Sequence, residues 1–292
     1  MISIIGDIHL DESSIEEIEL IFEEIISNCK DVTYFWFLGD VLNRKKPSPI
    51  EYDIITKILI RLQKIAPVLI ITGNHDETTS KISALDYTRH FGIKLYNFST
   101  VVKIGNKSYY LGHHFTDKGD EFVKDDRFKV EDLSKKYTYS FLGHNHQFIQ
   151  LSNNVCHLGS IMRKSFNEVD YGSPKYAKLN PETGSVDFCE ITSAIPMCEV
   201  TSIKEALKMD SRAKLRLVFT SFEEYLKSIN KLLELKKKFK VFKVRHNYTQ
   251  KVEKIATPAQ KGRSFSEIFA KFLKESVKDK RVKSLIEESL ND

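Results

Sequence analysis

Seven side chains able to bind a hard or borderline metal, Asp7, His9, Asp40, Asn74, His113, His144 and His146, fall on five short polar stretches. Each stretch follows an apolar run: Gly6-Asp7-Ile8-His9, Gly39-Asp40, Gly73-Asn74-His75-Asp76, Gly112-His113-His114 and Gly143-His144-Asn145-His146. Imidazole, carboxylate and amide oxygen without thiolate suit Mn, Fe or Zn, and seven such ligands exceed what one tetrahedral ion accepts. The expectation is two divalent ions, close enough for one carboxylate to bridge them, the arrangement that supports in-line phosphoryl displacement. Taken singly, each stretch has a plainer reading: Asp-x-His can be a cap beside a surface histidine, and Gly-Asn-His-Asp a turn. Their succession at five strand ends carries the argument.

The elements that must position these residues are legible around them. Ile-rich 1–5 breaks at Gly6, Val32 to Leu38 at Gly39, and Val68 to Thr72 at Gly73, each reading as a buried strand feeding a loop. Between them lie two amphipathic helices. The first carries Ile15, Ile18, Ile21, Phe22, Ile25 and Ile26 behind an apparent Ser14/Glu17 capping box, and the second carries Ile54, Ile55, Ile58, Leu59 and Leu62. From about residue 93 strands dominate, at 101–104, 109–111, 137–142 and 148–151, which predicts a second sheet. In such α/β architectures, ligand groups distant in sequence converge at the strand ends.

Beyond 195 a smaller α/β unit is expected, with a strand at 214–219, a helix at 222–238 and a strand at 239–244. A polar linker at 251–263 should lead to one or two final helices within 264–292. The chain has 292 residues, 41% of them hydrophobic, which sets bulk disorder aside and suggests about two domains. No apolar run nears the roughly 18 residues of a membrane helix, and the first ten residues carry Asp7 without Lys or Arg. Neither a span nor a signal peptide is expected. Four scattered cysteines without a Cys-x-x-Cys spacing argue against a disulfide framework, and a cytoplasmic setting fits. Residues 199–292 hold 23 Lys and Arg against 13 Asp and Glu, while the chain as a whole is only +5, so the basic charge is concentrated in the tail. Such a tail suits a polyanion or a solvated helical face.

The five stretches together resemble the signature of the calcineurin-like metallophosphoesterase superfamily: Asp-x-His, Gly-Asp, Gly-Asn-His-Asp or Glu, a single His, then Gly-His-x-His. That resemblance implies a two-sheet core flanked by helices (α/β/β/α) over 1–195. It implies Asp7, His9 and His146 on one ion, Asn74, His113 and His144 on the other, and Asp40 between them. His113 is preferred to His114 because it directly follows Gly112. His75 is implied as the catalytic group facing the scissile phosphate, with Asp76 orienting its ring. Two further segments, GDVLNRKKPSP at 39–49 and GSIMRKSFNE at 159–168, are similar to the SbcD-type nucleases of double-strand-break repair; Asn43 departs from the His or Asp that many relatives carry there.

In that subfamily the implied cofactor is a Mn²⁺ pair, with Mg²⁺, Fe or Zn as alternatives, and the implied substrate is DNA. Arg44, Lys45, Lys46, Arg163 and Lys164 become candidate phosphate contacts, and 196–250 a DNA-binding cap. Ser264 and Glu267 read as a capping box for a helix with Phe265, Ile268, Phe269, Phe272 and Leu273 on one face. The resemblance implies that this stripe binds the coiled coil of an SMC-like ATPase, in a heterotetramer built on a nuclease homodimer. Two other functions compete. A small-molecule or cyclic-nucleotide diesterase would need neither the basic tail nor the cap, and a non-catalytic scaffold would not need the ligand set.

Overall fold

The computed structural model describes residues 1–77, 82–118, 125 and 127–247. Four strands in β-α-β succession, β1 (Ile2–Ile5), β2 (Tyr34–Leu38), β3 (Val68–Thr72) and β4 (Lys94–Asn97), lie parallel in the main sheet. A second sheet holds β5 (Ser99–Ile104), β6 (Lys107–His113), β7 (Tyr139–Gly143), β8 (Ile149–Ser152) and β9 (Val155–His157), in the order β5-β6-β7-β9-β8. The chain then returns to the main sheet. A hairpin of β10 (Lys175–Leu179) and β11 (Val186–Glu190) pairs antiparallel with the free side of β1, giving the order β11-β10-β1-β2-β3-β4.

The two sheets pack face to face, and the two-residue period of the strands sorts their side chains. Ile2, Ile4, Trp36, Leu38, Leu69 and Ile71 of the main sheet meet Tyr109, Leu111, Tyr139 and Phe141 of the second in one buried cluster. The alternate residues Ile5, Phe35, Phe37, Val68 and Ile70 pack on the other side, in the cluster that holds the apolar faces of α1 (Ile15–Asn28) and α2 (Pro49–Ile65). Tyr110 and Leu142 turn outward to α3 (Val130–Lys136). Helix, sheet, sheet, helix is the layering that the resemblance implies. Truncating a ring as enclosed as Phe141 would cost about 3–5 kcal/mol.

Not every local signal was obeyed. The capping box operates before α2, where the Ser48 hydroxyl accepts from the Glu51 amide and Glu51 reaches back to the Ser48 amide at 2.7 Å, with Pro49 in the first turn. Ahead of α1 the expected Ser14/Glu17 box is not made. Glu17 instead accepts the Ile195 amide at 2.9 Å and pairs with Lys214 at 2.7 Å. Tertiary contacts took the side chain that the local cap needed.

Those contacts join the body to a third sheet of parallel strands, β12 (Met197–Val200), β13 (Lys214–Phe219) and β14 (Phe242–His246), with α4 (Ile203–Lys208) and α5 (Phe222–Lys238). The linker 251–263 and the stripe Phe265, Ile268, Phe269, Phe272 and Leu273 lie outside the described residues. Among the described residues no helix is long and apolar enough to cross a membrane.

Candidate metal centre

All five chemistry-bearing loops leave the same edge of the sandwich, because β1, β2 and β3 are parallel in one sheet and β6 and β7 are parallel in the other. The loops are laced together by their backbones. The Ile8 and His9 amides donate to the Asp40 carbonyl at 3.1 and 2.8 Å, and the His144 amide donates to both Asp7 carboxylate oxygens at 3.2 and 3.0 Å. The second contact ties one sheet to the other.

The backbone is bent where the ligands sit. His9, Asp40 and His144 have φ of 50°, 45° and 75°, a region that residues with a Cβ occupy sparsely and at some cost. Gly143, just before His144, approaches so closely that a Cβ there would lie 2.2 Å from the Leu38 carbonyl oxygen and 2.6 Å from Asp7 Oδ1. No side chain fits.

The result is two groups around one carboxylate. Asp7, His9 and His146 offer ligand atoms within 4.8 Å of one another, and so do Asp40, His113 and His144. Asp40 Oδ1 accepts the His75 amide at 2.8 Å, which leaves Oδ2 facing both groups, 3.6 Å from His9 Nε2 and 3.3 Å from His113 Nε2. Asn74 Oδ1 adds an amide oxygen 3.3 Å from His113 Nε2. Every sequence-predicted metal ligand therefore enters this cluster.

The cluster also fits cations chemically. His113 Nδ1 donates to the Leu38 carbonyl at 2.7 Å, so the Nε2 of the neutral ring presents a lone pair to Asp40, Asn74 and His144. The Nε2 atoms of His9 and His146 approach to 2.8 Å. Burial alone would push His113 down, yet the adjacent Asp7 and Asp40 charges hold it up at about 9, so Nε2 carries a proton at neutral pH that a cation held by the same carboxylates would displace, leaving the neutral ring as a ligand. Burial pushes His9 down to about 3 and His144 to about 4, keeping both rings neutral with a lone pair to give. Asp7, Asp40, His9 and His113 form a buried floor, while Asn74, His75, His144 and His146 make a half-buried rim.

Of the two adjacent histidines, His113 is the one that faces the cluster. His114 points away, its Nε2 2.9 Å from the Tyr110 hydroxyl and its ring stacked on Phe128 at 3.5 Å. His75 stands edge-on to His9 with ring centroids 4.9 Å apart, and a His75 nitrogen also lies within ligand reach of His9 and Asp40. Its ring is oriented by the Asn43 carbonyl, which accepts from Nδ1 at 2.7 Å, and not by Asp76 as expected. Asp76 accepts the Leu42, Gly73 and Val41 amides at 2.9, 2.9 and 3.3 Å, and burial with the Asp40 charge raises it to about 7. It braces the loops instead.

The predicted phosphate contacts divide. Lys45 and Lys46 are exposed, and Arg44 is half-exposed but paired with buried Glu51 at 2.7 Å. Arg163 is only 5% exposed and donates to the His146, Tyr171 and Gly172 carbonyls, and Lys164 Nζ donates to the His9 carbonyl and pairs with Asp11. Neither is presented to a nucleic acid, because basic type alone does not tell which way a side chain turns. Two residues were missed. Glu168 Oε1 accepts from His146 Nδ1 at 2.9 Å, and buried His157 donates to the Gly143 carbonyl at 3.0 Å. Neither belongs to one of the five stretches, although Glu168 closes the GSIMRKSFNE segment.

Residues 1–184 match the family model described as calcineurin-like phosphoesterase, and the chain belongs to that family. It is a metal-dependent phosphoester hydrolase. No curated protein gives a significant match. Among solved structures the chain is similar to a protein described as a novel archaeal phosphodiesterase, at 16% identity and a TM-score of 0.42, covering 65% of this chain and 98% of that one. It is also similar to Pseudomonas putida nuclease MPE, at 15% identity and a TM-score of 0.33, covering 53% of this chain and 66% of that one.

Proposed function

We infer that this hydrolase is a two-metal nuclease cutting DNA phosphodiester bonds, the catalytic subunit of a repair complex with an SMC-like ATPase. The observation that carries the two-metal reading is the pair of ligand groups sharing Asp40 Oδ2, with His75 on the open rim. Asp7, His9 and His146 would hold one ion, Asn74, His113 and His144 the other, and Asp40 both; the ligand types suit Mn²⁺. The chemistry such a pair supplies is Lewis-acid stabilisation of charge developing on the phosphoryl oxygens.

The chain's own part is proton handling and orientation. The Asn43 carbonyl holds the Nδ1 proton of His75, so Nε2 is the atom that exchanges a proton. When Nε2 carries that proton, His75 can donate to the leaving oxygen or to a phosphoryl oxygen. The half-buried rim sets the side from which a phosphodiester enters. DNA as substrate is supported by the segments at 39–49 and 159–168, the added β12–β14 module and the basic tail. With Arg163 and Lys164 turned inward, exposed Lys45 and Lys46 become the principal phosphate contacts of the reading. The stripe from Phe265 to Leu273 is assigned to the ATPase coiled coil.

The test offers purified protein with Mn²⁺ an end-labelled duplex, single-stranded circles and a chromogenic bis-phosphodiester. Digestion of the DNA substrates is expected, and hydrolysis of the small ester alone would overturn the nuclease reading. Deleting 264–292 should spare the small-ester reaction and abolish capture of the ATPase.

A further inference from the structure

The two ligand groups are braced from different places, and one brace has no role in the chemistry above. Residues 163–168 run past the Asp7/His9/His146 group and touch it three times. Arg163 Nη1 donates to the His146 carbonyl at 3.3 Å, Lys164 Nζ donates to the His9 carbonyl at 2.9 Å, and Glu168 Oε1 accepts from His146 Nδ1 at 2.9 Å. The Glu168 carboxylate is buried, and its other oxygen takes the Lys164 amide at 2.9 Å. From outside, the same segment is gripped by β13. Lys214 Nζ donates to the Arg163 carbonyl at 3.1 Å, Arg216 Nη2 donates to the Phe166 carbonyl at 3.2 Å, and the Arg216 guanidinium lies 4.9 Å from the Phe166 ring centroid.

We propose that Glu168 is the positioning residue of the His146 half of the centre, and that the 163–168 segment links that half to the β12–β14 module. Accepting from Nδ1 fixes the His146 tautomer, so Nε2 turns a lone pair toward Asp7 and His9. A carboxylate partner also makes the imidazole a stronger ligand, and losing such a partner typically costs about 10–100-fold in metal affinity. Gln cannot replace it. Two donors converge on Glu168, and the single amide oxygen of Gln can accept from only one, turning an NH₂ toward the other. Among the described residues the Asn74/His113/His144 half makes no hydrogen bond to 163–168, and His113 is fixed instead by the Leu38 carbonyl.

This inference rests on the two-ion reading, and Mn²⁺ binding by calorimetry on the full chain separates the two. If the wild type does not take up two equivalents, the reading itself fails. If it does, Glu168→Gln is expected to weaken one equivalent by about 10–100-fold and leave the other within about twofold. In a His146→Ala background, which removes that equivalent, Glu168→Gln should change nothing further. Arg216→Met, which leaves the ligands and Glu168 intact, should weaken the same equivalent by a few fold. Two constants that stay unchanged or fall together in Glu168→Gln, or an additive effect in the His146→Ala background, would overturn the positioning role. An unchanged equivalent in Arg216→Met would overturn the link to the module.

Discussion

The two halves of the ligand cluster are held by opposite means. His113 is locked from inside the sandwich by the Leu38 carbonyl of the neighbouring sheet, and His144 follows a glycine that the packing will not let grow. His146 is locked from outside, by a carboxylate on an irregular segment that the third sheet also grips. One half is as rigid as the core, since moving it means separating two sheets. The other can change with whatever moves residues 163–168. Two histidine pairs of the same ligand type thus sit on two mechanical foundations.

The largest effect should come from the residue the halves share. Asp40→Ala removes Oδ2, the oxygen that faces both, and hydrolysis of a chromogenic diester should fall to background while circular dichroism stays native. Activity retained within a few fold would dissolve the idea of a common centre. His75→Ala should lower turnover by about 10²–10⁴-fold while Mn²⁺ stoichiometry stays at the wild-type value. Loss of one equivalent by elemental analysis would make His75 a ligand and redraw the boundary between the halves.

A smaller effect addresses the inner half alone. Burial, reinforced by the nearby histidines and only partly offset by the Gly143 carbonyl, leaves His157 lowered from 6.5 to about 4. The unfolded chain takes a proton there as pH falls below about 6.5 while the folded chain resists until about 4, so stability is lost across that interval as pH drops. The loss amounts to roughly 3 kcal/mol at the acid end. His157→Asn, which can still donate to the Gly143 carbonyl, should flatten this acid limb in urea denaturation measured from pH 4 to 7. An unaltered limb would remove His157 from the support of the inner half. The smallest effect lies outside both halves. Neutralising Lys45 and Lys46 should reduce the slope of log K against log salt for duplex DNA by roughly 0.9 per lost contact, and an unchanged slope places the DNA path elsewhere.

What was legible in the sequence divides along the same line. The inner foundation is made of strand ends, and buried strands with glycine breaks announce themselves, so that foundation, and the seven ligand candidates that both halves set on such ends, could be placed from pattern. The outer foundation depends on which way irregular segments turn. Arg163 and Lys164 look like surface charge until the carbonyls around them are seen, and Glu168 is separated from His146 by 22 residues with no periodicity between. Likewise Glu17 matched a capping box, but the Ile195 amide and Lys214 reached it first. The hairpin of β10 and β11 escaped notice because nothing local says that a chain leaving one sheet will return to pair with the first strand of another.

That late return has a consequence for how the molecule is made. His9 and His146 are 137 residues apart, and the two sheets that carry them must dock before the cluster exists. A chain emerging from the ribosome with only β1 to β4 folded holds fewer than half of its histidine ligands, and β1 presents an open edge until residues 175–179 arrive to cover it. Competence to hydrolyse phosphoesters is therefore among the last properties the growing polypeptide acquires, and a truncated product ending before His144 would carry much of the scaffold of the enzyme without its activity.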